Sequence, residues 1–170
     1  MEYRRLTASD LASLLELYKQ LDENDDECPM DQSEETWKEI EANANIQYFG
    51  AIDNGKVVST CYAVYIPNIT RGNRGICFIE NVVTDREYRN LGLASKVIDM
   101  AIEFAKDHHC YKVILQSSIA RTEAHRFYKS KGFNGESKKA FDMRLFRHGT
   151  MRSFSKNYRE TDADIRIKLI

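Results

Sequence analysis

The N-terminal hydrophobic pattern predicts a short strand followed by two helices. A strand is expected around residues 3–6, and the apolar residues after it share one face at helical spacing: Leu11, Leu14, Leu15, Tyr18 and Leu21. Thr7, with Asp10 three residues later, suits the start of this helix. The acidic stretch 22–27 ends it, and residues 31–43 predict a second helix. We refer to these two helices as the helical flap.

A β-hairpin is predicted next. Residues 47–52 and the β-branched and aromatic run 56–66 have the composition of two strands. Between them lie Asp53, Asn54 and Gly55, a combination that tolerates positive φ and suits a tight turn. The two strands are therefore expected to pair in the antiparallel sense.

The middle of the chain predicts a strand–helix–strand unit. Residues 76–84 form a nearly continuous apolar strand that only Glu80 and Asn81 interrupt. A helical apolar stripe follows over residues 93–105, and residues 113–118 predict a buried strand. Parallel strands joined by a helix need a right-handed crossover. The sequence therefore predicts an α/β fold with a mixed sheet and a central βαβ unit.

The C-terminal part of the pattern divides into a last core region and a tail. Residues 120–131 predict a short helix closed by Gly132, and residues 139–146 predict the last core strand. The end of the chain alternates like a strand at Ile165, Ile167 and Leu169. We therefore expect one domain over residues 1–147 and a tail over 148–170 that adds or exchanges a strand, which would make a homodimer.

Composition and charge argue against several classes of protein. With 170 residues and 42% hydrophobic content, the chain can bury one sizeable core. The 25 basic and 26 acidic residues nearly cancel, so no global field favours nucleic acid. The start MEYRRLTASD lacks the apolar region of a secretory signal, and no apolar run approaches a membrane span, so we expect a soluble cytoplasmic protein. The four cysteines include no CxxC pair, which argues against a zinc or redox site.

The turn between the strand 76–84 and the next helix has the features of an anion-binding site. Small residues there let backbone N–H groups approach an anion, and the helix dipole adds positive potential. An ordinary strand-to-helix turn can have the same features, so the neighbouring motifs are needed to distinguish an anion-binding turn from an ordinary one. The residues that would hold a pyrophosphate are Arg89, Asn90, Leu91, Gly92, Leu93 and Ala94.

With a second segment, this turn resembles the motifs of the GNAT superfamily of N-acetyltransferases. Val82-Val83-Thr84 followed by residues 89–94 is similar to its pyrophosphate-binding motif, and Ala124-His125-Arg126-Phe127-Tyr128 through Gly132-Phe133 is similar to its second motif. The resemblance implies a mostly antiparallel sheet with splayed parallel strands. It also implies acetyl-CoA as co-substrate, direct transfer of the acetyl group to a primary amine of a small molecule or peptide, and no metal.

The resemblance further implies individual contacts to acetyl-CoA. Val82, Val83 and Thr84 would pair with the pantetheine arm, and one N–H of this strand would polarise the thioester carbonyl. Arg121 stands where the commonest form of the second motif has Asn, and a subset of the superfamily accepts Arg there, so it is kept as a cofactor-binding residue. Tyr128 stands where the family places a phenol near the sulfur, which makes it both a cofactor contact and the candidate general acid.

Glu80 is the candidate general base. It precedes Val82 by two residues and lies on the same face by strand alternation. Apolar neighbours would desolvate the carboxylate and raise its pKa, which suits a group that accepts an amine proton near neutrality. The alternative is a structural Glu that is exposed where the strand opens, or paired with an Arg.

Other functions remain open at this point. Ile79-Glu80-Asn81-Val82-Val83 and Cys110-Tyr111-Lys112 are similar to glucosamine-6-phosphate N-acetyltransferases, although those enzymes tend to have an acidic residue at the position of Asn81. A non-catalytic CoA-binding module is a second alternative, but it would need neither Glu80 nor Tyr128. A nucleic-acid-binding domain is disfavoured by the net charge, although it could use Arg71, Arg74, Lys138 and Lys139.

Overall fold

Five strands form one mixed sheet in the computed structural model, which describes residues 1–21 and 28–143. Their order in the sheet is their order in the chain: β1 (Glu2–Arg5), β2 (Ile46–Asp53), β3 (Lys56–Ile66), β4 (Ile76–Thr84) and β5 (Lys112–Leu115). The pairs from β1 to β4 are antiparallel, and β4 pairs with β5 in parallel. The predicted α/β class, mixed sheet and βαβ unit are confirmed.

The β2–β3 hairpin forms at the predicted turn. Asn54 and Gly55 both have positive φ, 50° and 80°, as a two-residue turn between right-twisted strands requires. The pairing Asp53↔Lys56 follows from this turn, but the register shifts between Ala51 and Ile52. Beyond that β-bulge, Tyr48 lies opposite Tyr62.

Helices cover both faces of the sheet. α1 and α2, the helical flap, pack on one face, and α4 packs on the other. The Asp10 carboxylate accepts a hydrogen bond from the Thr7 backbone N–H (2.9 Å), as predicted for the start of α1. The helices are α1 (Leu11–Tyr18), α2 (Met30–Ala42), the one-turn α3 (Thr70–Asn73), α4 (Leu93–Asp107) and α5 (Thr122–Ser130).

Two hydrophobic clusters fill the two layers. The cluster under α4 includes Phe49, Ala51, Cys61, Ala63, Cys77, Ile79, Leu93, Val97, Ala101 and Phe104. The cluster under the helical flap includes Leu6, Leu11, Leu14, Leu17, Trp37, Ile52, Val57 and Val83. Alternate residues of the central strands supply the two sides, so the sheet is apolar on both faces at its centre.

Two predictions concern the end of the chain. The expected strand over 139–146 is absent from residues 139–143, and its remainder lies outside the described residues. The proposed tail, residues 148–170, also lies outside them, as does its strand exchange.

Within residues 1–21 and 28–143, no helix is long and apolar enough to cross a membrane.

Candidate active site

A gap opens between β4 and β5, the last two strands of the sheet, along the C-terminal half of β4. The parallel pairing ends at Ile79↔Leu115, whereas β4 continues to Thr84. The Asp85 N–H donates to the Val58 carbonyl on β3 (2.9 Å). Because backbone groups along a strand point alternately to its two sides, Val83 also faces β3, and the N–H groups of Val82 and Thr84 point into the gap. The gap therefore offers unpaired donors to an extended ligand.

The predicted anion-binding turn lies directly after this part of β4. Asn90 and Gly92 both have positive φ, 63° and 77°, and Gly92 is the N-cap of α4. A Cβ at Gly92 would meet no atom within 4 Å, so the space over the helix start is open. The first N–H groups of a helix have no partner within it and point outward at its N-terminus. The turn therefore fits a pyrophosphate.

The side chains of the turn differ in how accessible they are to a ligand. Leu93 is buried in the cluster under α4, so only its backbone is available to a ligand. Leu91 is 64% exposed. The Arg89 guanidinium donates to the Thr84 carbonyl (3.3 Å) and remains exposed beside the turn. The sequence pattern predicted the turn but did not distinguish which of its residues offer side chains and which only backbone groups.

Buried Asp85 holds the chain between β4 and the turn. Its carboxylate accepts hydrogen bonds from Lys56 Nζ (2.7 Å) and from the Glu87 N–H (3.0 Å). The bond from Lys56 keeps the pKa of Asp85 below its ordinary value. Tyr88 adds a second link by donating to Asp53 (3.1 Å). This network joins the β2–β3 hairpin to the turn, and the sequence pattern did not predict it.

The end of α5 fixes Tyr128 beside the gap. Gly132 has φ of 89°, and the N–H groups of Gly132 and Phe133 donate to the carbonyls of Lys129 and Tyr128 (3.0 and 3.1 Å). This is a Schellman motif, in which Phe133 also packs edge-on against the Tyr128 ring. Tyr128 is 8% exposed. Its ring position is thus set by the helix end that the sequence predicted.

The environment of Tyr128 keeps its phenol protonated. Burial is the main cause that raises its pKa, and the nearby Glu80 carboxylate raises it further. Arg121, the N-cap of α5, opposes them and lowers it. Arg121, Tyr128 and Glu80 are therefore brought together around the gap, and the phenol can act as a proton donor near neutral pH.

Glu80 lies on β4 directly opposite Tyr62 of β3, at the point where the gap begins. Its carboxylate is half-buried, and this desolvation raises its pKa. Within residues 1–21 and 28–143 we find no ion pair to Glu80, in contrast to the paired structural Glu considered above. A desolvated carboxylate without a cationic partner suits a general base.

The predicted alignment of Glu80 with Val82 on one face is wrong. Asn81 has φ of 50°, and a β-bulge places Asn81 and Val82 together opposite Cys61. Val82 consequently packs on the α4 side, whereas Glu80 shares the flap side with Tyr62. The bulge turns the carboxylate toward the helical flap while Val82 keeps its backbone in the gap.

A row of aromatic residues leads away from Glu80 under the helical flap. Tyr48 and Tyr62 stack with ring centroids 4.7 Å apart and planes 15° from parallel, and Trp37 lies 5.2 Å beyond Tyr48. We call Tyr48 and Tyr62 the tyrosine row. The sequence pattern did not predict this row, because an uninterrupted hairpin register would have put Cys61 opposite Tyr48.

Tyr18 of the helical flap lies beside the described site. Tyr18 of α1 has a buried hydroxyl that makes no hydrogen bond of standard geometry, although Asn81 lies close enough to affect its pKa. Burial is the main cause that raises the pKa of Tyr18. In the described part of the chain, no group of three or more His, Cys, Asp or Glu residues is arranged to hold a metal ion.

Comparison with known proteins agrees with this geometry. The model of the acetyltransferase (GNAT) family matches residues 11–133, which contain the gap, the turn and α5. The chain is 32% identical over 138 residues to a glucosamine 6-phosphate N-acetyltransferase of Trypanosoma brucei brucei, and the alignment covers 81% of this chain and 92% of that protein.

Solved structures give the same result. An acetyltransferase of Trypanosoma brucei has a TM-score of 0.71 and 33% identity, with 86% of this chain and 99% of that chain covered. Glucosamine-6-phosphate N-acetyltransferase from Arabidopsis thaliana has a TM-score of 0.71 and 26% identity, with 85% and 97% covered. The chain therefore belongs to the GNAT family, and it is an acetyl-CoA-dependent N-acetyltransferase.

Proposed function

We propose that the acceptor amine attacks acetyl-CoA directly in the gap between β4 and β5, with Glu80 as general base and Tyr128 as general acid. The observation that carries this proposal is the position of the two side chains at one gap, close enough for Glu80 to raise the pKa of Tyr128. The raised pKa of Glu80 suits proton acceptance, and the raised pKa of Tyr128 suits proton donation.

The backbone of β4 and the turn after it would hold acetyl-CoA, which supplies the acetyl group and a thiol leaving group. The N–H groups of Val82 and Thr84 point into the gap, where they would pair with the pantetheine arm, while Val83 pairs with Thr60 of β3. The first turn of α4 would receive the pyrophosphate through its backbone donors. Arg121 would add a positive charge beside the cofactor.

The proposed proton transfers balance the reaction. As the amine nitrogen forms a bond to the carbonyl carbon, Glu80 takes a proton from that nitrogen. A strand N–H directed into the gap would stabilise the developing oxyanion. The carbon–sulfur bond then breaks, the electron pair leaves with sulfur, and Tyr128 gives its proton to the thiolate. Exchange with solvent restores a carboxylate on Glu80 and a phenol on Tyr128.

An acceptor screen tests this proposal. The protein would be incubated with acetyl-CoA and a panel of primary amines and peptides while the free thiol is monitored, and products would be identified by mass spectrometry. Thiol release that depends on an amine and yields its acetylated form is expected. Binding of CoA without any amine-dependent thiol release would instead support a non-catalytic CoA-binding module.

A glucosamine-6-phosphate-type amino-sugar acetyltransferase is the second candidate. The names of the relatives from Trypanosoma brucei brucei and Arabidopsis thaliana favour it. The same panel decides between the candidates if it contains glucosamine and glucosamine 6-phosphate as a matched pair. A preference for the phosphorylated sugar over all other amines would support this second candidate.

We further propose a homodimer that works in the cytoplasm without nucleic acid or a metal. The alternation at Ile165, Ile167 and Leu169 supports a strand exchanged between protomers. The four free thiols suit a reducing compartment. Light scattering of the full chain and of a chain ending at Arg147 would show the larger mass only for the full chain, whereas a full-length monomer would contradict the dimer.

A further inference from the structure

We infer that the tyrosine row binds the acceptor and selects a cationic amine that has no anionic substituent. This inference rests on the proposed function, because the row leads to the carboxylate that would take the amine proton. Tyr48, Tyr62 and Glu80 occupy matching positions on β2, β3 and β4, so their side chains share the face under the helical flap. The row therefore forms a path across the sheet toward the gap.

The dimensions of this path suit a small amine. Adjacent strands are about 4.8 Å apart, so Tyr48 and Glu80 are separated by roughly 10 Å across the sheet. Both tyrosines are half-buried rather than sealed in the core. A short aliphatic chain or a single sugar ring can lie along the edges of the two stacked rings while its amine reaches the space between Tyr62 and Glu80.

The charges around the row favour a cation. Tyr62 lies between Tyr48 and Glu80 and stacks on Tyr48, so its other face is directed toward the Glu80 carboxylate. A cation between that face and the carboxylate is attracted by both groups. Burial raises the pKa of Glu80 and of both tyrosines of the row, and no cationic side chain of the described residues lowers any of these pKa values. Arg121 acts instead on Tyr128, on the cofactor side, and Lys19 of the flap is exposed and bonded to Glu16 (2.7 Å).

Polar groups next to the row suit an amine. The buried hydroxyl of Tyr18 lies next to Tyr48 and Asn81, whose side chains are close enough to form hydrogen bonds with it. An ammonium donates hydrogen bonds only, and the phenol oxygen of Tyr18 and the amide oxygen of Asn81 are suitable acceptors for it.

Among residues 1–21 and 28–143, an anionic group on the acceptor finds no cationic partner along this path. The cleft of about 250 Å³ beyond Tyr48 includes Arg5 of β1, and Glu41 of α2 also lines it. Because β1 is three strands from β4, Arg5 lies about 14 Å from Glu80 across the sheet. A phosphate or carboxylate a few bonds from the reacting amine would therefore lie on the tyrosines and near Glu80, where charge repulsion opposes binding.

Matched acceptors test the inference on the full chain. 1,4-Diaminobutane, n-butylamine and 4-aminobutanoate have the same carbon chain but a cationic, neutral or anionic far end, and glucosamine with glucosamine 6-phosphate forms a second pair. We expect kcat/KM to be at least about tenfold higher for the diamine than for 4-aminobutanoate, and for glucosamine than for its phosphate. Calorimetry with the CoA-bound protein should give the same order of affinities without requiring turnover.

Variants of the row identify the surface responsible. Tyr62→Leu removes the aromatic face and should raise the KM for the preferred amine about 5- to 30-fold, with the KM for acetyl-CoA unchanged. Tyr62→Phe keeps the face and should stay within about threefold of wild type. Tyr3→Leu, at an exposed tyrosine of β1, is the matched control and should have no effect.

The possible results distinguish a failure of the acceptor inference from a failure of the proposed catalysis. Preference for 4-aminobutanoate or glucosamine 6-phosphate would overturn the inference while leaving acetyl transfer intact. An unchanged acceptor KM in folded Tyr62→Leu would overturn the role of the row. Amine binding in the expected order without thiol release would overturn the proposed catalysis but support the acceptor surface.

Discussion

Glu80 and Tyr128 lie at the same opening in the sheet, and the carboxylate of the first raises the pKa of the second. Glu80 reaches the opening from the flap side of β4, whereas Tyr128 is held there by the C-terminal end of α5. A desolvated carboxylate and a buried phenol at one opening can serve opposite ends of an acyl transfer, because a raised pKa makes the carboxylate a stronger proton acceptor and the phenol still carries its proton near neutrality.

Replacement of Tyr128 by Phe should reduce turnover without unfolding the protein. The variant keeps the ring contacts to Phe127 and Phe133 but loses the transferable proton. We expect kcat to fall by about 10- to 1000-fold if proton donation limits the rate, with CoA affinity unchanged. Steady-state kinetics and calorimetry on the same preparation check this. Wild-type kcat in the folded variant would remove Tyr128 from the role of acid.

Replacement of Glu80 by Gln should give a pH-dependent loss of activity. Because the pKa of Glu80 is raised, wild-type kcat/KM should rise with pH as this carboxyl loses its proton. The Gln variant lacks this base, and its deficit should shrink at high pH, where more of the amine is already neutral. A Tyr128→Phe deficit should not shrink in this way. Parallel pH–rate profiles for wild type and Glu80→Gln would contradict the role of Glu80 as base.

The same substitution should increase stability at neutral pH. A carboxyl whose folded pKa is raised holds its proton more tightly when folded, so the native state loses stability as pH rises from the unfolded pKa through the folded pKa. Gln at this position has no such cost. Urea unfolding should therefore find Glu80→Gln more stable than wild type at pH 7.5, with the difference smaller at pH 4. A less stable variant at pH 7.5 would indicate that the carboxylate is structural.

Gly92 provides a test of the cofactor turn with a matched control. Both Gly92→Ala and Gly92→Glu must adopt the positive φ of 77°, at a cost of about 1–2 kcal/mol. Only the Glu variant adds a negative charge in the open space above the helix start. Calorimetry should show CoA affinity at least about tenfold weaker for Glu than for Ala. Equal affinities in the two folded variants would place the pyrophosphate elsewhere.

Asn81 tests whether the β-bulge organises the site. Gly accepts the positive φ of Asn81, whereas the β-branched Val is strained there by about 1–3 kcal/mol. Asn81→Gly should keep most activity, apart from any contact of the amide with the acceptor. Asn81→Val should lose at least about tenfold in kcat/KM, because relief of the strain would move Glu80 out of line with Tyr62. Equal activity of the two variants would show that the bulge is dispensable.

The local sequence determined the elements on which the site is built. Asn54-Gly55 fixed the hairpin turn, and the apolar stripe of residues 93–105 fixed the helix between two parallel strands. Gly92 and Gly132 marked a helix start and a helix end, and both have the positive φ that favours glycine. These features depend on residues close together in the chain, where steric restrictions and hydrogen bonds within one turn decide the conformation.

Only the tertiary structure decided which side chains meet. One register shift near Ala51 puts Tyr48 opposite Tyr62, and a second at Asn81 turns Glu80 and Val82 to opposite faces. In a strand, a shift of one residue reverses the face of every following side chain. The alternation of apolar and polar residues therefore does not predict on which face a side chain lies beyond a bulge. A bulge is a property of a pair of strands, because its extra residue is defined only against the partner strand. The sequence by itself therefore predicted the strand-to-helix turn and suggested the two candidate catalytic residues, whereas the tyrosine row depends on the pairing register of three strands, which the pattern within one strand does not contain.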